Sequence, residues 1–123
     1  MKKFSFKEIK FYSGDYDQIK KEFDKGGVLV APAASALANI DKDKQYFSAL
    51  KSSNVAILDS GFFCILLRIF KFKRVKKLSG FLFLKTFLDN FNNRQNILLI
   101  DPSRKSTILN IKFLRSKKIF NFK

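Results

Sequence analysis

The chain has 123 residues, room for one domain of ordinary size, and its 46% apolar content excludes a fully disordered polymer. It carries 25 Lys/Arg against 10 Asp/Glu, a net charge of +15. It has no histidine, which excludes His-based proton relays and the commonest metal ligand together.

Lys2-Lys3 is not followed by an apolar h-region, so no signal peptide is expected. Phe4 to Phe11 alternates roughly with polar residues and predicts a first strand, exposed on one side. Asp15 and Asp17 flank Tyr16, and Ile19 and Phe23 follow at helical spacing. Gly26-Gly27 stops that helix, because glycine accepts the left-handed conformation that ends helices. Val28-Leu29-Val30 is a continuous apolar run, expected as a strand covered on both faces. Pro32 suits a helix start, Ala33 to Ile40 is strongly helix-forming, and Tyr46, Phe47 and Leu50 add an amphipathic turn or two. Asn54 to Leu58 predicts a second buried strand, ending at Asp59-Ser60-Gly61. Phe62 to Phe70 is apolar nearly all round and predicts a buried helix. Broken off by Asp59 and Arg68, this stretch is too short and too charged to span a bilayer. Within it, the single cysteine, Cys64, excludes an internal disulfide and reads as a small core residue, which fits a reducing compartment.

Lys71 to Lys77 is a basic connector with five cations in seven residues. Gly80 opens a helix in which Phe81, Leu84, Leu88 and Phe91 are three or four apart. Asn96 to Ile100 predicts a third buried strand, closed by Asp101-Pro102, with Asp101 read as a cap of a basic helix from Ser103 to about Ser116. Lys118 to Phe122 begins what reads as a further strand. Strand and helix alternate with short connections, so the expected fold is α/β and Rossmann-like, with a mainly parallel sheet and helices on both faces. It reads as a single domain over residues 1–123, incomplete at a C-terminus that stops as a strand begins.

Charge is uneven along this pattern. Residues 1–61 hold ten cations and eight acids; residues 62–123 hold fifteen and two. Such a half attracts phosphates, whether on a nucleotide, an anionic lipid or a nucleic acid. In open α/β sheets ligands bind beyond the carboxyl ends of the strands. Three such places are expected: Ala31-Pro32-Ala33, Asp59-Ser60-Gly61 and Asp101-Pro102-Ser103. The second joins an ionisable residue to a glycine that lets substrate approach the backbone. There Asp59 reads either as a general base or as an N-cap of the helix that follows it. Arg74-Val75-Lys76-Lys77-Leu78-Ser79-Gly80 brings cations to a helix N-terminus, where dipole and side chains both favour an anion such as a diphosphate. There is no P-loop, GxGxxG, metal-ligand cluster or Ser/His pair, so neither a metal nor a cofactor is expected.

Three segments, in order and at matching spacing, resemble the WecG/TagA/CpsF glycosyltransferases. Val28-Leu29-Val30-Ala31-Pro32-Ala33 is similar to a strand ending in Thr-Pro-Asn. Leu50 to Ser53 with Ala56-Ile57-Leu58-Asp59-Ser60-Gly61 resembles the family's ADLVLPDG stretch. Arg74 to Gly80 with Phe81 and Leu82 resembles ERVTGVDL. The resemblance implies a metal-independent, inverting transfer of an N-acetylmannosamine-type sugar from a UDP donor. The implied acceptor is a polyprenyl-diphosphate-linked saccharide at the cytoplasmic face of the membrane, in cell-surface polysaccharide synthesis. It makes Asp59 the catalytic base and gives donor binding to Ser60, Gly61, Arg74, Lys77, Ser79 and Gly80. Lys77 stands where the family has arginine, keeping the charge without the bidentate fork. Ala31 and Ala33 replace Thr and Asn, and Leu82 replaces Asp. The chain is about half as long as the family's, so a truncated member is expected. A homo-oligomer is compatible with this reading and nucleic acid is not its expected partner. Two rivals stand beside it: a basic nucleic-acid-binding module, and a non-catalytic remnant or partner subunit of such an enzyme.

Overall fold

A computed structural model of the chain describes residues 1–71, 74–92 and 95–123, so Phe72 and Lys73 of the basic connector lie outside the described residues. The chain is α/β, with helices and one four-stranded mixed sheet. It divides into two compact units, residues 1–83 and 84–123, with the division falling inside one helix.

The first unit opens with a hairpin rather than the single strand expected over Phe4 to Phe11. β1 (Lys2–Phe6) and β2 (Ile9–Ser13) pair antiparallel about Lys7 and Glu8, both in the left-handed region at φ 46° and 63°. Two positive φ values in a two-residue connection are what a tight hairpin with right-twisted arms requires. The phase of the apolar residues carries the physical reason. Phe4 and Phe6 are even positions, Ile9 and Phe11 odd, so in one continuous strand they would face opposite sides. The turn resets the phase and puts all four on one side, with Phe4 stacked on Phe11 at 5.7 Å.

α1 (Tyr16–Phe23) starts at Asp15, which accepts from the Gln18 backbone N–H at 3.0 Å while the Gln18 side chain accepts from the Asp15 N–H, a reciprocal capping box. Gly26 and Gly27 then turn the chain at φ 91° and 109°. Gly27 cannot carry a side chain: a Cβ there would fall 2.1 Å from Asn54 Oδ1, which accepts from the Val28 N–H. β3 (Leu29–Val30), α2 (Ala34–Ala38), a 3-10 turn (Ile40–Lys42), α3 (Lys44–Ser52, capped by Asp43), β4 (Val55–Ile57) and α4 (Gly61–Lys71) follow. The sheet order is β1-β2-β4-β3, with β4 parallel to both β2 and β3. β3 is an edge strand, only half buried, rather than the strand covered on both faces that its apolar run suggested.

Alternation along the strands supplies two faces. Ile9, Phe11, Ala56 and Leu58 pack with Leu37, Ile40, Leu50, Phe63 and Leu67 from α2, the 3-10 turn, α3 and α4. Val55 and Ile57 pack oppositely with Ile19 of α1, Leu78 and Phe83. α4 is not buried all round: Phe63 and Leu67 enter the core, whereas Phe62, Ile65, Ile69 and Phe70 are exposed. A helix apolar on every side shows no preference for which side is covered, and here one flank suffices for the core.

The last helices are α5 (Gly80–Asp89) and α6 (Arg104–Ser116). Along α5 the residues at helical spacing are not buried together. Phe81 and Leu84 are exposed, whereas Phe83 is buried in the first unit and Leu88 in the second. In that second unit, Leu88, Leu114 and Ile119 form a small core with Phe87, Phe91, Ile97, Leu99 and Phe122 against it. Asn96 to Ile100 is not a third buried strand of the sheet. Ile97 makes one parallel bridge with Phe122, and Leu98 and Ile100 are exposed, Ile100 at 89%. Its backbone partners are Asn121 and Lys123, near the end of the chain, which an apolar run cannot reveal. Nor does Asp101 cap α6. Ser103 does so, accepting from the Ser106 N–H at 3.2 Å, and Asp101 accepts from the Asn110 side chain at 2.7 Å. No helix among the described residues is long and apolar enough to cross a membrane.

Candidate functional site at the carboxyl ends of the strands

Because β2, β3 and β4 run in one direction, their last residues reach the same edge of the sheet. Ser13, Ala31 and Leu58-Asp59 stand there. Two hydrogen-bonded ties hold the segment 74–79 along that edge. Leu78 N–H donates to the Leu58 carbonyl at 3.1 Å, and Lys76 N–H donates to Ser13 Oγ at 2.6 Å, with Ser13 Oγ donating back to the Lys76 carbonyl at 3.4 Å. Ser13 is buried and in phase with Ile9 and Phe11. It had no role in the reading of the sequence, although its inward phase at a strand end was the available signal.

The segment delivers the start of α5 to Asp59. Ser79 begins the helix by accepting from the Phe83 N–H at 2.8 Å, and Gly80 N–H donates to Asp59 Oδ1 at 2.9 Å. Asp59 is therefore not the cap of the helix that follows it. That work falls to Ser60, whose Oγ accepts from Phe63 N–H at 3.2 Å and whose carbonyl accepts from Cys64 N–H at 3.1 Å. Asp59 instead satisfies an orphan amide of α5, 21 residues on. A carboxylate has acceptor sites for several donors, so one amide fixes its orientation without exhausting it.

Gly80 has to be glycine for a packing reason: a Cβ there would lie 2.7 Å from Ala31 Cβ. The small residue after β3 and the glycine of α5 together let the helix start sit against the strand end. Gly61 faces Lys77, whose Nζ lies 3.9 Å from where a Gly61 Cβ would be. The same cation pulls the Cys64 thiol down while burial, the larger effect, pushes it above its ordinary value; such a thiol is a poor nucleophile.

The structure thus brings Asp59, Ser79 and Gly80 together, places Lys77 beside Gly61, and uses Ser60 as a cap. Arg74 is exposed and borders two hollows, neither lined by Asp59. One, of about 410 Å³, is bounded by Cys64, Ile65, Arg68, Arg74 and Val75. The other, of about 450 Å³, lies toward Ser13, Gly14, Asp15 and Gln18. Among the described residues no group of three or more acidic or cysteine side chains is placed to hold a metal ion. Compared with protein-family models, curated proteins and solved structures, the chain finds no match.

Proposed function

We propose that the chain is a glycosyltransferase of the WecG/TagA/CpsF kind. It would move an N-acetylmannosamine-type sugar from UDP to a polyprenyl-diphosphate-linked acceptor, on a Rossmann-like arrangement of parallel strands, and work peripherally at the inner face of the membrane. The observation that carries this reading is the Asp59–Gly80 contact. It holds a carboxylate beyond the end of β4, at the mouth of a helix N-terminus that favours anions, with Lys77 beside Gly61. In the reaction Asp59 takes the proton of the acceptor hydroxyl as that oxygen attacks the anomeric carbon. The bond to UDP breaks on the opposite side, and the departing diphosphate takes up the charge, steadied by Lys77.

Asp59→Asn tests the base while sparing the fold, because an amide oxygen still accepts from Gly80. Its unfolding midpoint should stay near that of the parent chain while turnover falls roughly 100- to 10,000-fold. Equal turnover would remove Asp59 from the chemistry. UDP should raise the unfolding temperature at physiological salt, and Lys77→Ala should remove most of that protection.

Ala31 and Ala33, apolar where polar contacts to sugar and phosphate are expected, favour a second reading as a non-catalytic member of the same kind. In that case UDP protects the chain and no sugar moves. The excess of cations favours a nucleic-acid-binding rival. Generic binding of that sort falls steeply between low and physiological salt, with a slope set by the phosphates contacted. Tight oligonucleotide binding at physiological salt with no response to UDP would replace the transferase reading.

A further inference from the structure

The outward flank of α4 remains unexplained by the site. Phe62, Ile65, Ile69 and Phe70 are each more than half exposed, Phe70 at 73%, and recur along one side of a helix about 16 Å long. Solvent-facing residues of a helix are ordinarily polar, and contiguous exposed apolar surface marks an interaction site. Arg68 follows Ile65 by three positions and therefore borders the same stripe. Ile65 and Arg68 also line the 410 Å³ hollow, together with Cys64, Arg74 and Val75. Apolar surface and a guanidinium-lined hollow are thus continuous. No acidic residue occurs in the sequence between Asp59 and Asp89, and none of the residues lining the hollow is acidic.

We infer that α4 lies flat on an anionic phospholipid bilayer, its Phe62/Ile65/Ile69/Phe70 stripe among the acyl chains and a lipid phosphate in the hollow beside Arg68. This combination of an apolar flank and bordering cations is what an interfacial helix needs, and an eleven-residue helix is too short to span a bilayer. A second copy of the chain is the weaker occupant, because a self-paired stripe brings another acid-free, arginine-bordered face and no counter-charge. The inference rests on the transferase reading only for the membrane as the place of work. Its evidence is the exposed flank of α4 and the hollow beside it.

The test uses the full chain and vesicles of phosphatidylcholine with or without phosphatidylglycerol, at physiological salt and without nucleotide. The chain should sediment with the anionic vesicles. Ile65→Ser with Ile69→Ser should weaken that binding roughly tenfold or more, since it strips apolar area that would leave water. Arg68→Gln should weaken it by about fivefold and only for the anionic vesicles. These residues are exposed, so circular dichroism should show an unchanged fold. The chain has no tryptophan, so Phe62→Trp supplies a single reporter whose emission should shift to the blue on anionic vesicles. Sedimentation without that shift, or equal sedimentation of the double serine variant, would overturn the inference. So would a vesicle-free dimer that the double serine variant dissolves, which would give the stripe to a second copy. UDP protection is measured without vesicles, so failure here leaves the transferase reading standing, and the converse.

Discussion

Residues 1–83 and residues 84–123 are made from similar residue types but bury them differently. Among the described residues, fourteen apolar side chains of the first region are buried, from Ile9 to Phe83, and they cover both faces of a sheet. The second region buries three, Leu88, Leu114 and Ile119, while Leu98, Ile100, Ile108, Leu109, Phe113 and Phe120 stay exposed. Charge sharpens the contrast: the first has sixteen cations and eight acids over 83 residues, the second nine and two over only 40. A short region with a thin core and strong self-repulsion has little stability of its own. The candidate site and α4 with its exposed apolar flank both lie within or at the end of the well-packed region, where positions can be held.

The largest effect expected from this contrast is at Phe11, fully buried and stacked on Phe4. Phe11→Ala should cost about 3–5 kcal/mol, a large share of what a domain has. Leu114→Ala should behave otherwise. All three tyrosines, Tyr12, Tyr16 and Tyr46, lie in the first region and none in the second. Tyrosine fluorescence in urea therefore reports residues 1–83 alone. Its midpoint should fall sharply for Phe11→Ala and stay in place for Leu114→Ala, whose cost should appear as lost helical circular dichroism. A matching tyrosine shift for Leu114→Ala would show that both regions unfold as one.

A smaller effect is expected at Gly80, where packing serves the site. Gly80→Ala adds one methyl group 2.7 Å from Ala31 Cβ, so backbone must move, at a cost of roughly 1–3 kcal/mol. The movement also displaces the amide that orients Asp59. Loss of UDP protection should therefore exceed what the drop in stability explains. Ala31→Gly in the same chain should relieve the crowding and restore part of both. Full UDP protection in Gly80→Ala would mean that the start of α5 does not organise the site.

Much of the well-packed region could be read from local sequence, because its signals are local. The glycine pair and the apolar runs at Leu29–Val30 and Val55–Ile57 each act within a few positions, whereas the caps Asp15 and Asp43 emerge only from the structure. What escaped was non-local or degenerate. The hairpin at Lys7-Glu8 lacks the Asn-Gly or Asp-Gly usually found at such turns, and only the phase slip from Phe6 to Ile9 marked it. Asp59 was singled out, but its partner Gly80 is 21 residues away and no spacing rule links them. Asp101-Pro102-Ser103 offers two residues of capping type, and only geometry chooses Ser103. Asn96 to Ile100 has the composition of a core strand in a region without enough core to bury it. The outward stripe of α4 was invisible for a related reason: apolar periodicity locates a covered face only where the opposite face is polar.

The smallest effect is electrostatic and separates the regions by pH. In the second region Asp89 joins α5 to α6: it receives hydrogen bonds from Lys117 and, at 3.2 Å, from Lys85. Lys117 first and Lys85 next hold its carboxyl below the ordinary aspartate range, against a smaller upward push from desolvation. In the first region Glu22 is held low in the same way, chiefly by Lys25 and more weakly by Lys3. A carboxyl whose folded pKa is depressed adds stability that is fully present above its unfolded value. That stability is lost as pH falls through the folded one. The window for both groups therefore lies below about pH 4, where unperturbed aspartate and glutamate protonate. Both belong to surface ion pairs, Glu22 half-buried and Asp89 exposed, worth little each, so the outcome depends on what else supports the region. Residues 1–83 have their two-sided core and should keep the tyrosine signal through that window. Residues 84–123 have only one other acid, Asp101, and protonating Asp89 also leaves Lys85 and Lys117 facing each other without a counter-charge. Helical circular dichroism should therefore decline below about pH 4 before tyrosine fluorescence changes, and added salt should blunt the decline by screening the cations. Asp89→Asn should show the reduced helicity already at neutral pH and little further loss on acidification. A variant that kept the parent's acid profile would assign the decline to some other carboxyl, Asp101 being the remaining one in that region.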